Sequence, residues 1–276
     1  MLTIKAALQE ASSLFSDSES ASLDAEILLA FVLGKTREHL FTWPEQELTV
    51  AQQETFQRHC QRRAKGHPVA YLTGQRAFWN FELKVNSHVL IPRPETELLV
   101  ELSLDKLSNE EQCIADLGTG SGAIALVLAS ERPNWKILAC DLSKAALDVA
   151  RQNAECLSCT TIEFKLGEWC DAFAETELDA IISNPPYIDA QDEHLQQGDV
   201  RFEPALALIS AEQGLADIKI IASQAQEKLK SGGWLLLEHG FQQGESVRQI
   251  LHDQSFSDIV THNDVAGLER VTCGRK

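Results

Sequence analysis

From Cys113 to its end the chain alternates short apolar runs with longer amphipathic stretches, and this alternation constrains the fold more than any other feature. The runs read CIADLG, WKILACD, TIEFKLG, DAIISNPP, GGWLLLEHG, DIVTH and ERVTCG, with helical spacing after the first, second, fourth and fifth. Short apolar strands separated by amphipathic helices predict βαβ units, in which parallel strands are covered on both faces. Right-handed crossovers then give a doubly wound, mostly parallel, Rossmann-like α/β sheet, seven-stranded if every run contributes one strand. Only Asn263–Gly267 separates the last two runs. A connection that short permits antiparallel pairing alone, so the last strand is expected to enter the sheet reversed.

Upstream, the periods change. Over residues 1–72 apolar side chains recur at helical spacing, as in Ala21, Ala25, Leu28 and Val32 beside Leu23, Ile27 and Phe31. Between Gln75 and Pro92 the stretch FWNFELKVNSHVLIP alternates through Trp79, Phe81, Leu83 and Val85 and reaches a turn at Asn86–Ser87, which predicts a β-hairpin. The expected division is a helical domain over 1–74, a hairpin linker over 75–92 and the α/β domain over 93–276.

Composition narrows the class. With 44% hydrophobic and 24% charged residues the chain has the balance of a globular protein. Its longest apolar runs, Ile27–Leu33 and Ala123–Ala129, fall far short of the roughly 20 residues of a membrane span. The opening MLTIKAALQEASSLF reads as an amphipathic helix rather than a secretory signal. The seven cysteines form no regular framework; Cys156 and Cys159 make a CxxC, but with no second pair at zinc-finger spacing. A cytoplasmic protein with reduced thiols and no metal is expected. The formal charge of −17, from 41 acidic against 24 basic residues, repels polyphosphates at long range, so nucleic acid is not expected as the primary substrate. The local basic cluster RHCQRRAKGH at 58–67 reads as a solvated helix face.

Residues 116–122, DLGTGSG, follow a predicted strand and open a predicted helix. Gly118, Gly120 and Gly122, with Thr119 and Ser121 between them, allow a tight turn and close approach of the backbone to a ligand at a helix N-terminus. Asp141 ends the next strand, where a carboxylate can accept hydrogen bonds from both hydroxyls of a ribose. An adenosine-containing cofactor follows. Gly118-x-Gly120-x-x-Ala123 also satisfies the dinucleotide pattern, so a dehydrogenase has to be weighed. Against it, Asp116 places a carboxylate that suits the ammonium of S-adenosyl-L-methionine and would repel a pyrophosphate.

Asn184-Pro185-Pro186-Tyr187 follows DAIIS and therefore projects from the carboxyl end of the fourth strand, the edge at which ligands bind in such sheets. Two prolines remove two N–H donors and fix φ, leaving a rigid turn that presents acceptors. The Asn184 side-chain oxygen and the Pro185 carbonyl can accept the two hydrogens of a planar –NH₂ group and aim its nitrogen, while Tyr187 can stack on the plane. Such hydrogens become more acidic as the nitrogen attacks, so acceptors there stabilise the transition state more than the ground state.

These motifs together resemble the HemK/PrmC family of protein-glutamine methyltransferases over almost the whole chain. The resemblance runs through HPVAYLTGQRAFW, VLIPRPETE, DLGTGSG and SNPPYI followed by GDVRFEP, with IPRPETE at 91–97 and VRFEP at 200–204 the most family-specific. It implies that S-adenosyl-L-methionine is the cofactor, that S-adenosyl-L-homocysteine is the product, and that the substrate is the glutamine of the Gly-Gly-Gln motif in class I peptide chain release factors. It further implies that Gly118–Gly122, Asp141, Trp169 and Asn184 contact the cofactor, with Asn184–Tyr187 holding the glutamine and Trp169 packing on the adenine. The helical domain would recognise the protein substrate, and a monomer is expected. A glutamine methyltransferase of a ribosomal protein and a DNA or RNA adenine amino-methyltransferase are the alternatives, the latter needing a basic groove and a pocket for a flipped base. Glu95, Glu97, Glu203 and His239 are left without an assigned role.

Overall fold

A computed structural model describes every residue except Met1, Asp17, Thr160, Ala174 and Glu175. Two compact units divide the chain: Met1–Gln75 with Glu193–Phe202, and Arg76–Asp192 with Glu203–Lys276.

The first unit carries helices α1 (Ile4–Leu14), α2 (Ala21–Leu33), α3 (Arg37–Thr42), α4 (Val50–Arg63) and α5 (Val69–Thr73). Local chemistry sets their ends. Thr3 caps α1 by accepting the Ala6 amide, Thr49 and Gln52 form a reciprocal capping box on α4, and Gly34 closes α2 at φ 60°. Ile4, Leu28, Leu29, Leu40, Leu48 and Phe56 pack together as the unit's core. Asp24 is buried among them and is neutralised by Arg63 at 2.8 Å, with Ser18 and Ser20 supplying further hydrogen bonds. Arg63 also meets Asp199 at 2.7 Å, and the His67 ring lies 4.4 Å from that of Phe202. A segment distant in sequence is thereby part of this unit.

From Arg76 the second unit carries all but the first residue of a two-stranded sheet, β1 (Gln75–Phe78) and β2 (Phe81–Lys84), followed by α6 (Glu97–Lys106). The hairpin turn falls at Trp79–Asn80, earlier than the alternation predicts, and Trp79 adopts φ 56°. The Glu97 carboxylate accepts the Trp79 amide at 2.8 Å and Glu131 accepts the indole N–H at 2.9 Å, which holds a bulky residue in the left-handed region. Asn86 does begin a turn, but it lies after β2 has ended.

Then come β3 (Cys113–Leu117), α7 (Ala123–Glu131), β4 (Lys136–Asp141), α8 (Lys144–Cys156), β5 (Glu163–Leu166), β6 (Leu178–Ser183), the short α9 (Ala211–Gly214), α10 (Ala216–Lys228), β7 (Leu229–Glu238), α11 (Gly244–Asp253), β8 (Ser257–Asn263) and β9 (Glu269–Arg275). The seven-stranded sheet has the order β5-β4-β3-β6-β7-β9-β8. β9 runs antiparallel to both neighbours, as expected for a reversed last strand. Alternate residues feed two apolar layers: Ile114, Ile137 and Ile182 face α6 and α7, whereas Ala115, Leu138 and Ile181 face α10 and α11. With α7 buried from Ala123 through Ala129, the central strands are covered on both faces.

Strand order fixes where a site can form. The chain leaves β3 for β4 and β5 on one side and resumes beside β3 with β6 on the other, Leu117 pairing with Ser183. Connections diverge from these two carboxyl ends and leave a crevice between them.

Candidate active site

The glycine loop leaves β3 at this crevice. Gly118, Gly120 and Gly122 take φ values of 73°, 57° and 84°, in the region where L side chains are strained. The Gly118 and Thr119 amides both donate to the Cys140 carbonyl, at 3.0 and 2.8 Å, so the loop is anchored to β4. Asn153 of α8 donates to the Ser121 carbonyl at 2.9 Å and exchanges two hydrogen bonds with the Lys84 backbone. A buried side chain therefore links the loop to the hairpin, a role that no local motif announces.

Two carboxylates flank the loop. Asp141 accepts the Gly120 amide on Oδ2 at 2.9 Å and the Ser143 amide on Oδ1 at 2.8 Å, and burial raises its carboxyl above the ordinary value. Each oxygen keeps a second lone pair for a ligand. Asp116 accepts the Thr119 hydroxyl on Oδ2 at 2.6 Å, while its Oδ1 is buried and has no partner among the described residues. Complete burial pushes this carboxyl up to about 7. Trp169, with φ 45°, brings its ring to 3.4 Å from where a Cβ on Gly118 would stand; its indole N–H is likewise buried and unpartnered among the described residues. The ring is half-buried at the edge of the apolar layer, against the loop rather than within the core.

Across the crevice Asn184-Pro185-Pro186-Tyr187 leaves β6. The Ser183 hydroxyl donates to the Leu117 carbonyl at 2.7 Å and pins the two strand ends together. Asn184 Nδ2 donates to Thr96 Oγ1 at 3.2 Å, and the Tyr187 hydroxyl donates to Glu238 Oε1 at 3.5 Å. Behind the turn, Gln243 donates to the Tyr187 carbonyl at 3.0 Å while accepting the Gly240 amide at 2.8 Å. Glu212, Gln213 and Gly214 all have positive φ there, and a Cβ on Gly214 would overlap the Tyr187 carbonyl oxygen. Only glycine fits so close to the turn.

The four residues without a sequence-based role now have surroundings. Glu203 accepts the Ile91 amide at 3.0 Å and pairs with Arg93, which brings together the two most family-specific stretches. Glu97 holds the hairpin turn. His239 is fully buried with both ring nitrogens engaged, by the Gly240 carbonyl at 2.9 Å and Thr272 Oγ1 at 2.8 Å, and burial lowers its basicity. Glu95 adds negative charge near Glu238, whose carboxyl burial raises to about 7. Thr96, Asn153, Glu238 and Gln243 belong to no local motif, because each meets a partner distant along the chain.

A doubly wound sheet carrying a glycine loop on one strand end and Asn-Pro-Pro-Tyr on its neighbour defines a methyltransferase, and the family model "Methyltransferase small domain" matches residues 94–216. The model "PrmC N-terminal domain" matches residues 6–74. Over 268 residues the chain is 48% identical to the release factor glutamine methyltransferase of Salmonella typhimurium, covering 97% of each chain. With the protein of the same name from Coxiella burnetii it shares 47% over 278 residues and 100% of each chain. The chain belongs to the release factor glutamine methyltransferase family. At the level of fold it also resembles a methyltransferase from Pyrococcus furiosus, with TM-score 0.55, 16% identity and coverage of 79% of this chain and 98% of that one. A ribosomal protein L11 methylase from Lactobacillus delbrueckii subsp. bulgaricus gives TM-score 0.50, 19% identity and coverage of 67% and 80%.

Proposed function

We propose that this chain transfers a methyl group from S-adenosyl-L-methionine to the side-chain amide nitrogen of the glutamine in the Gly-Gly-Gln motif of class I peptide chain release factors, and so modulates translation termination. The observation that carries the reading is the register of β3 and β6, Leu117 opposite Ser183, which sets the glycine loop beside Asn184–Tyr187. Near-full-length similarity to proteins named for this activity supplies the substrate.

The loop's residues suit the cofactor. Asp116 Oδ1, a buried acceptor with no partner among the described residues, suits an ammonium group. The bare Cα of Gly118 beside the Trp169 ring suits close approach of a planar base, and Asp141 retains acceptor capacity for ribose hydroxyls. When bound, the cofactor supplies an electrophilic methyl carbon on a sulfonium. Gly118–Gly122, Asp141, Trp169 and Asn184 are the residues assigned to it, and no metal takes part in this reading.

Asn184–Tyr187 are the residues assigned to the substrate. An amide nitrogen is a weak nucleophile because its lone pair is delocalised. Asn184 Oδ1 and the Pro185 carbonyl accept its two hydrogens, orient it, and bind more strongly as those hydrogens acidify during attack. One of the two hydrogens leaves to solvent as a proton once the nitrogen carries the methyl group, so the four-residue turn itself needs no ionisable base. The enzyme is proposed to act in the cytoplasm as a monomer, with the helical unit recognising the protein substrate.

The test is incubation with methyl-labelled S-adenosyl-L-methionine and a purified class I release factor, in parallel with DNA and with ribosomes, followed by peptide mass spectrometry. Label on the Gly-Gly-Gln glutamine is expected. Label on a ribosomal protein or on adenine, with none on the release factor, contradicts the proposal.

A further inference from the structure

We infer that Thr96 is a positioning residue for methyl transfer, its hydroxyl fixing which end of the Asn184 carboxamide faces the substrate amide. This rests on the glutamine-methylation reading above.

A carboxamide has two ends of nearly equal size and opposite hydrogen-bonding sense. With Oδ1 toward the substrate, Asn184 accepts a hydrogen from the reacting –NH₂; turned by 180°, it sets donors against donors. The Pro-Pro turn fixes the backbone but does not choose between these ends. The choice falls to what the other end meets, and Nδ2 meets Thr96 Oγ1 at 3.2 Å. Thr96 is 5% exposed at the start of α6, and its amide donates to the Arg93 carbonyl at 3.1 Å, which anchors its backbone.

A hydroxyl can itself donate or accept, and Glu238 sets its sense. This carboxylate, 1% exposed at the end of β7, has one oxygen, Oε2, that is buried with no hydrogen-bond partner among the described residues and so has room for the hydrogen of a neighbouring hydroxyl. Burial raises its carboxyl to about 7, and Glu95 adds to that, while the Thr96 hydroxyl and the charge of Arg270 favour the charged form. Above about pH 7, where Glu238 is ionised, a hydroxyl whose hydrogen turns to it offers the amide only lone pairs. Nδ2 is then the end that Thr96 can receive, and Oδ1 is left for the substrate. Glu238 Oε1 receives the Tyr187 hydroxyl, so one buried carboxylate supports both ends of the Asn-Pro-Pro-Tyr turn.

A double-mutant cycle on the full-length enzyme separates positioning from general structural support. Thr96→Val keeps the shape and removes the hydroxyl, which leaves a buried Nδ2 unpaired whenever Oδ1 faces outward. With S-adenosyl-L-methionine and intact release factor, kcat should fall about tenfold or more, with smaller changes in KM, and Thr96→Ser should restore most of it. In an Asn184→Asp background both ends of the side chain are oxygens and neither orientation is wrong, so adding Thr96→Val should cost less than about threefold. Thr96→Ala is carried through the same cycle, so that a folding failure of one variant leaves the other to decide. Equal losses in both backgrounds, or an unchanged kcat in the Thr96 variants, would overturn the inference. Failure of the wild-type enzyme to methylate release factor would instead refute the reading on which it rests.

Discussion

The Gly120 amide donates to Asp141 Oδ2 at 2.9 Å, so the carboxylate assigned to the cofactor ribose also clamps the loop assigned to the rest of that cofactor. Asp141→Ala removes both. It should weaken S-adenosyl-L-homocysteine binding by about 1.5–3 kcal/mol, the scale of a hydrogen bond to a charged group, as read by calorimetry. An unchanged Kd in a folded variant would exclude Asp141 from the ribose site.

Asp116 should trade stability for binding. Its carboxyl is raised from an ordinary 3.8 to about 7 by burial, so the folded state holds the proton more tightly than the unfolded chain does. The associated stability is complete below pH 3.8 and is lost as the pH rises through about 7. Asp116→Asn resembles the protonated form at every pH. It should raise Tm at pH 8, bring little gain at pH 4, and weaken cofactor binding by removing a charge; equal Tm shifts at both pH values would contradict this account.

Gly214→Ala places a methyl group on the Tyr187 carbonyl oxygen at a position with φ 82°. The turn assigned to the substrate has to move, and geometric loss there is expensive for catalysis. The expected result is a fall in kcat of about 10²-fold with cofactor affinity within about twofold of the parent. A variant with full kcat would show that the position of Tyr187 matters little.

Arg63 neutralises a buried aspartate in the helical unit and also holds Asp199. Arg63→Ala leaves Asp24 buried without its countercharge, at a cost of roughly 3–5 kcal/mol. Because all the residues assigned to the cofactor lie in the other unit, S-adenosyl-L-homocysteine binding should persist while methylation of intact release factor is lost. Full methylation by a variant whose helical unit has melted, judged by hydrogen exchange, would remove that unit from substrate recognition.

Much of the fold and of the candidate site is legible in the sequence. CIADLG and DAIISNPP are apolar enough to be central strands, and the five residues from Asn263 to Gly267 force the reversal of β9, so the sheet follows from run length and spacing. The glycine loop and Asn184–Tyr187 are contiguous, and their chemistry can be read locally. The hairpin turn could not be, because period-two alternation continues across Trp79 while the backbone reverses there on the strength of Glu97 and Glu131. Thr96 and Glu238 stayed hidden for a related reason: Thr96 lies 88 residues from the side chain it contacts. Segment 193–202 packs in the helical unit through Arg63 and His67, partners that only the folded chain reveals.

The central claim is that Asn184 acts on the transition state, accepting a hydrogen whose acidity grows as the glutamine nitrogen attacks the methyl carbon. The most direct measurement is steady-state methylation of purified class I release factor by Asn184→Ala, with Asn184→Asp alongside. Alanine removes the acceptor, and kcat should fall by about 10²-fold or more, the scale of one positioned transition-state hydrogen bond, with smaller changes in KM for substrate and cofactor. Aspartate keeps an acceptor and should retain more activity than alanine. A surviving kcat with a raised KM in Asn184→Ala would make Asn184 a binding residue and contradict the account.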